Sequence, residues 1–374
     1  MNAQTTPREN FQKLINRFVD QLAFARNPSE EAPAFPQHIH IEPTNACNLR
    51  CIHCVQDTMS RKRGFMDMEI FRRIIDEIGP LGCAITLDVQ GEPLLHPRAL
   101  DMVAYAKAAG CHVSLLTNAT LLDAAKSARL IELGLDRVVF SFDAVDPELY
   151  ERIRLRSKFK PTLANILEFL RQNVEAGSPT FVCASIIHQE ATRGHLEDYK
   201  RYFTELPVNT IFVSELLNMS GHSRVSGEID LSGKSGVEKD ARPICRVPWE
   251  NITVNWDGRV CSCPLDFEVS CPVGDVHSQS LNEIWTSGAF RDFRRAHLDR
   301  DYARFEKDQT LCSACNCLWD PEYDLRAYDG FVKKAIVRQA SHYATALAEK
   351  KDDSGMEAKR AALMARIEEL KAAD

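Results

Sequence analysis

The chain has 374 residues, 44% hydrophobic and 26% charged, enough for one large domain or two ordinary ones, each with a real core. With 46 basic and 53 acidic residues the net charge is −7, so the overall basic footprint of a chain built to grip nucleic acid is missing. No run of ~20 apolar residues exists, and MNAQTTPRENFQKLINRF lacks an apolar core with a cleavage site, so neither a membrane span nor a secretory signal is expected and the protein is placed in the cytoplasm.

Residues 1–36 read as a helix (Glu9 to Phe24) and an exposed polar linker, NPSEEAPAFP. A repeating alternation starts at residue 38. HIHIEP alternates like a strand, and Met68, Phe71, Ile74, Ile75 and Ile78 carry helical spacing. AITLDV, HVSLLT, RVVFSFD, FVCASII and TIFVSEL are further strands. Between them the spacing predicts helices over 98–109, 122–133, 147–153 (capped by Asp146), 161–176 and 195–206. Six strand–helix units imply a parallel sheet with right-handed crossovers, either open and doubly wound or an incomplete barrel. Residues 37–218 form this first unit, and 219–242 are an aperiodic linker. In a second unit, 243–320, NITVNWDGRVCSC reads as a hairpin turning at Asp257-Gly258 and 281–293 as one helix. Residues 321–374 are a helical tail in which KRAALMARIEELKAA is amphipathic, a packing or dimer face.

Thirteen cysteines in a reducing compartment point to metal or catalysis rather than disulfides. Cys83, Cys111 and Cys183 stand alone in apolar contexts and read as small buried hydrophobes. Cys47, Cys51 and Cys54 lie within eight residues, directly after the first strand. Three thiolates so spaced can wrap one face of a cubane iron–sulfur cluster, which normally takes four, leaving one iron open. An open position marks a catalytic centre, as it does for zinc. A zinc site is the competing reading, but zinc motifs prefer paired Cys-x-x-Cys knuckles and a nearby fourth ligand; His53 could be offered as that ligand but reads instead as a packing residue inside the loop.

The Cys-x-x-x-Cys-x-x-Cys spacing, with IEPTNACNLRCIHC, GFMD, QGEPLLHP, LLTNATLL and VVFSFD at successive strand ends, resembles the radical S-adenosylmethionine (radical SAM) superfamily over roughly residues 38–215. The resemblance implies a partial (βα)6 TIM-like barrel within an α/β fold. It also implies a 4Fe-4S cluster whose open iron chelates SAM, and reductive cleavage of SAM to methionine and a 5′-deoxyadenosyl radical that abstracts a substrate hydrogen. Carried over by position, the Gly91-Glu92-Pro93 segment receives the SAM ammonium, Asn118 and Ser141 contact ribose or carboxylate, and Arg154 lies near the carboxylate. Gln90 departs from the family, where many relatives have Gly. For Asn118 a turn role competes, and for Arg154 a surface ion pair.

Cys245-Arg-Val-Pro-Trp, Gly258-Arg-Val-Cys-Ser-Cys263 and Leu311-Cys-Ser-Ala-Cys315 resemble a SPASM or "twitch" extension. That implies at least one auxiliary 4Fe-4S cluster on Cys245, Cys263, Cys312 and Cys315, similar to the aminocyclitol dehydrogenase type. Cys261, Cys271 and Cys317 remain as spares or as ligands of a second cluster. The function implied is a radical SAM oxidoreductase of dehydrogenase type. It would oxidise a small sugar- or cyclitol-like metabolite and pass an electron to the auxiliary cluster. The alternative is a ribosomal-peptide maturase forming crosslinks or thioethers. The partners implied are a small-molecule or peptide substrate and a flavodoxin- or ferredoxin-type donor, with neither nucleic acid nor membrane. Arg61-Lys-Arg63 reads as a solvated loop or a docking point for that donor. Glu215 and Asn218, ending the sixth strand, are weak substrate-contact candidates.

Overall fold

Alternating apolar residues make the strands, and apolar residues three and four apart make the helices between them. The computed structural model describes residues 28–31, 35–36, 38–219, 222–225, 227, 243–304, 312–313, 315–316 and 353–372. Its strands are β1 (His38–Ile41), β2 (Ala84–Leu87), β3 (His112–Thr117), β4 (Arg137–Ser141), β5 (Phe181–His188) and β6 (Thr210–Glu215). The helices between them are α1 (Met68–Ile78), α2 (Ala99–Ala108), α3 (Ala124–Glu132), α4 (Pro147–Ile153), α5 (Phe159–Glu175), α6 (Glu190–Arg193) and α7 (Leu196–Thr204). Helix α1 begins where Asp67 accepts from the Glu69 amide at 2.7 Å, and it buries the five residues that carried the helical spacing.

All six strands are parallel and pair in the order β6-β5-β4-β3-β2-β1. A doubly wound sheet would reverse direction at a switch point. This order never reverses, so the sheet winds one way, as a partial barrel does.

A half-closed barrel leaves the free edge of β1 with unpaired backbone groups. Here β7 (Asn251–Val254) covers that edge in parallel, His38 opposite Asn251 and Ile41 opposite Val254. The chain then turns at Gly258, whose φ is +84° and where a Cβ would lie 2.4 Å from the His277 ring. It returns antiparallel as β8 (Arg259–Cys261) and β9 (Pro272–Asp275). The hairpin expected in the second unit is therefore the continuation of the barrel sheet, which has nine strands among the described residues.

Three expectations change. The helix predicted over 281–293 is two helices, α8 (Leu281–Trp285) and α9 (Gly288–Leu298), because Ser287 caps the Phe290 amide and starts a new one. The linker before β1 is partly pinned: the Trp249 indole donates to the Ser29 carbonyl at 2.8 Å, and Arg295 pairs with Glu30. The tail helix α10 (Asp353–Ala372) is a packing face, setting Leu363, Ile367 and Leu370 against the barrel beside α5. The expected helix at 9–24, most of 219–242, Cys317 and residues 321–352 of the tail lie outside the described residues. Among the described residues no helix is long and apolar enough to cross a membrane.

Candidate active site

The loop after β1 carries Cys47, Cys51 and Cys54 over the C-terminal end of the barrel. It is held by backbone bonds to the C-terminal end of α4 and the chain just after it, from the Ile52 and Arg50 amides to the Ile153 and Leu155 carbonyls, each 3.0 Å. The three thiols sense one another electrostatically. Burial pushes Cys47 up to about 11 and Cys51 to about 12, and raises Cys54 as well. Three thiols on one loop at the barrel end supply the donor set of a cluster with three protein thiolates. Among the described residues no three His, Cys, Asp or Glu side chains, in this loop or elsewhere, are already drawn together around a single metal ion. His53 packs inside the loop with Nε2 3.9 Å from Asp143, and burial lowers it to about 4.

Several of the residues expected to meet SAM lie against this loop. Gly91 lies against it so closely that a Cβ would fall 1.9 Å from the Thr44 carbonyl oxygen, and the Glu92 amide donates to the Ala46 carbonyl at 2.9 Å. The buried Glu92 carboxylate accepts from Thr117 Oγ1 (2.7 Å), the Asn118 amide (2.8 Å) and the Leu94 amide (3.1 Å), while desolvation raises its pKa. Pro93 opens the 3-10 turn that follows. Asn118 sits in a turn against the thiol loop. Its Oδ1 accepts from the Thr120 amide in a turn, and its Nδ2 donates to Asn48 (3.0 Å) and approaches Cys47 Sγ (3.8 Å). Ser141 ends β4, two residues before Asp143. Arg154 is no surface pair: it is buried and donates through Nε to the fully buried Asp143 at 2.6 Å. Burial pushes the Asp143 carboxyl up, and Arg154, His53 and the Ile187 amide together hold it below the ordinary value.

Arg61 corrects another expectation. It is buried, forks onto Glu42 at 2.8 and 3.1 Å, and donates to the Phe267 carbonyl at 2.5 Å. Glu42 also accepts from the Trp256 amide, and Glu268 accepts from the Ser60 hydroxyl at 2.9 Å. Gln90 belongs to the same seam: Gln56 donates to its carbonyl, and its own amide donates to the Pro264 carbonyl at 3.0 Å. The position that departs from Gly thus joins the Gly91-Glu92-Pro93 segment to the loop that carries Cys263.

Beyond this seam Cys245, Cys263, Cys312 and Cys315 line one cavity of about 260 Å³. Cys245 and Cys263 are raised by burial first and by neighbouring thiols second, Cys245 to about 12. Four cysteines lining one cavity supply the donor number of a fully ligated cubane. Cys261 does not line it. Its thiol donates to Asp266 at 3.4 Å, and Asp266 also accepts from the Cys271 amide at 2.9 Å. Cys83, Cys111 and Cys183 are buried as expected.

Two features had no signal strong enough to find them. His40 lines the cavity from β1, with Nδ1 2.9 Å from Asp88 after β2. Their only trace in the sequence is polar residues at alternate positions of HIH and TLD. Asn316 ties Cys315 to the end of β6, donating to the Leu216 carbonyl (2.7 Å) and accepting from the Asn218 amide (3.1 Å). Asn218 therefore has a loop-fixing role, and Glu215 faces His188 at 3.2 Å.

Residues 41–201 match the radical SAM superfamily, and residues 245–316 match SPASM, an iron–sulfur cluster-binding domain. The chain belongs to the radical SAM superfamily and carries a SPASM domain; both families bind 4Fe-4S clusters. It is 27% identical over 297 residues to a tungsten-containing aldehyde ferredoxin oxidoreductase cofactor-modifying protein of Pyrococcus furiosus, covering 69% of this chain and 83% of that protein. It is 32% identical over 315 residues to the antilisterial bacteriocin subtilosin biosynthesis protein AlbA of Bacillus subtilis, covering 77% of this chain and 68% of that protein. An AdoMet-dependent heme synthase of Methanosarcina barkeri is 34% identical, but the match spans only 37% of this chain and 40% of that protein. Among solved structures, Streptococcus suis SuiB bound to its precursor peptide SuiA superposes with a TM-score of 0.59 at 13% identity, covering 85% of this chain and 76% of that one. BtrN in complex with AdoMet and 2-DOIA superposes at 0.51 and 18% identity, covering 76% and 94%. Both structural likenesses concern the fold.

Proposed function

We propose that this radical SAM enzyme is an oxidoreductase of dehydrogenase type that removes two electrons from a small polar metabolite, sugar- or cyclitol-like. The observation that carries the reading is the second thiol set: four cysteines lining one cavity, with a His–Asp pair on its barrel wall. Cys47, Cys51 and Cys54 would hold the first cluster, and Cys245, Cys263, Cys312 and Cys315 the auxiliary one. Bound there, the clusters and SAM supply the chemistry: reductive cleavage of SAM to a 5′-deoxyadenosyl radical at the first site, and a one-electron acceptor at the second.

The chain's own residues bind and orient. The backbone of Gly91, Glu92 and Pro93 receives the SAM ammonium, with Glu92 fixing that backbone through its three donors. Asn118 and Ser141 meet the ribose or carboxylate. Arg154, kept charged by Asp143, faces the SAM carboxylate from behind the loop. The buried seam of Glu42, Arg61 and Gln90 excludes water between the two sites. A flavodoxin- or ferredoxin-type protein would deliver the initiating electron.

Similarity to AlbA over most of both chains supports a second reading, maturation of a ribosomal peptide. Anaerobically reconstituted enzyme with dithionite and deuterated candidate polyols distinguishes them. Dehydrogenation transfers deuterium into 5′-deoxyadenosine, one equivalent per oxidised product. Deuterium transfer only from a peptide substrate supports the second reading.

A further inference from the structure

His297 lies on α9, and its imidazole is almost wholly buried. Three aromatic rings enclose it: Phe293 with centroid at 4.9 Å, Tyr302 at 5.1 Å and Trp249 edge-on at 6.5 Å. The ring reaches the wall of the four-thiol cavity, and Nε2 is 3.7 Å from Cys312 Sγ, within hydrogen-bond range for sulfur. In the free thiol either atom could donate. Once Cys312 is a metal thiolate its sulfur has no proton and can only accept, so the contact then requires the tautomer with hydrogen on Nε2.

We propose that His297 sets the reduction potential of the auxiliary cluster by donating a hydrogen bond to the sulfur of Cys312. The inference rests on the four-cysteine site proposed above and goes beyond it by naming a residue that tunes the site without ligating it. Reduction adds negative charge, part of which falls on the ligand sulfurs. A donor aimed at one sulfur stabilises the reduced form more than the oxidised form and raises the potential. The aromatic enclosure strengthens this, because Phe293, Tyr302 and Trp249 bury the imidazole, and a hydrogen bond from a desolvated donor is stronger than one in water. An acceptor taking an electron from a substrate radical gains driving force from that shift. His297 is thus a positioning residue: it acts through Cys312 and does not need to touch substrate.

The test uses the full-length chain with Cys47, Cys51 and Cys54 replaced by Ala, reconstituted so that only the auxiliary cluster is present. Redox titration followed by optical absorbance and EPR reads its midpoint potential. In this background His297→Phe, which keeps an aromatic ring and loses the donor, is expected to lower the potential by ~59 mV, a tenfold change for a one-electron couple. His297→Gln, which restores an N–H, is expected to recover part of that shift. An iron-loaded His297→Phe protein with unchanged potential overturns the proposal while leaving the ligand set intact. A background protein that binds no iron overturns the ligand set and this proposal together. Should His297→Phe fail to fold, pulsed EPR on the reduced background protein carrying 15N-histidine decides: a nitrogen coupling assigned to His297 by its loss in His297→Gln supports the bond, and no histidine coupling overturns it.

Discussion

The two thiol sites are built in opposite ways. The first is local: Cys47, Cys51 and Cys54 share one loop, and the barrel braces that loop from below. The second is assembled: its four cysteines come from positions 245 to 315, and they meet only because β7 pairs with β1 and α9 packs behind the hairpin. A local site needs little of the fold to keep its thiols together, whereas an assembled site needs all of it. The seam between them, Glu42 with Arg61 and Gln90 with Pro264, fixes one site relative to the other.

The largest effect should come from the local site. Cys51→Ser is expected to abolish 5′-deoxyadenosine formation and to remove about four irons per chain, the auxiliary iron remaining; chromatography and iron counting check both. If auxiliary iron is lost too, the two sites are less independent than this comparison holds. At the assembled site, Cys245→Ala with Cys263→Ala should remove auxiliary iron while SAM cleavage continues, uncoupled from product.

Gly91→Ala sharpens the role of the motif beside the loop. Its Cβ has no space against the Thr44 carbonyl, so SAM affinity should fall at least about tenfold by equilibrium binding, corresponding to ~1.4 kcal/mol or more. The seam is tested by Glu42→Gln, which strands the buried Arg61 guanidinium. Denaturant unfolding should show a loss of ~3–5 kcal/mol, and Glu42→Gln with Arg61→Met should lose less than that.

The smallest effect concerns pH. His38, on β1, is lowered to about 3 by burial, then by His40, Arg137 and His112. The unfolded chain takes up this proton below about 6.5, so the unfolded state binds more protons between 6.5 and 3. The His38 contribution is complete above 6.5 and is lost as pH falls towards 3. His38→Gln should flatten the acid limb of the stability curve, by less than the ~1.4 kcal/mol per pH unit of a fully buried group. An unchanged limb removes His38 from the account.

The chain's own order of residues determined the six strand–helix units, the helical face of Met68, Phe71, Ile74, Ile75 and Ile78, the thiol loop and the hairpin turn at Gly258. Each of these depends on neighbours a few positions apart, where periodicity, capping and spacing act directly. Tertiary structure decided the rest. Nothing local says that β7 joins β1, that the sheet winds one way, that Arg61 is buried on Glu42, or that Gln90 reaches Pro264. Those contacts link residues tens to hundreds of positions apart. Buried charge and backbone pairing choose such partners only after the chain has closed on itself, because until then water satisfies the same groups.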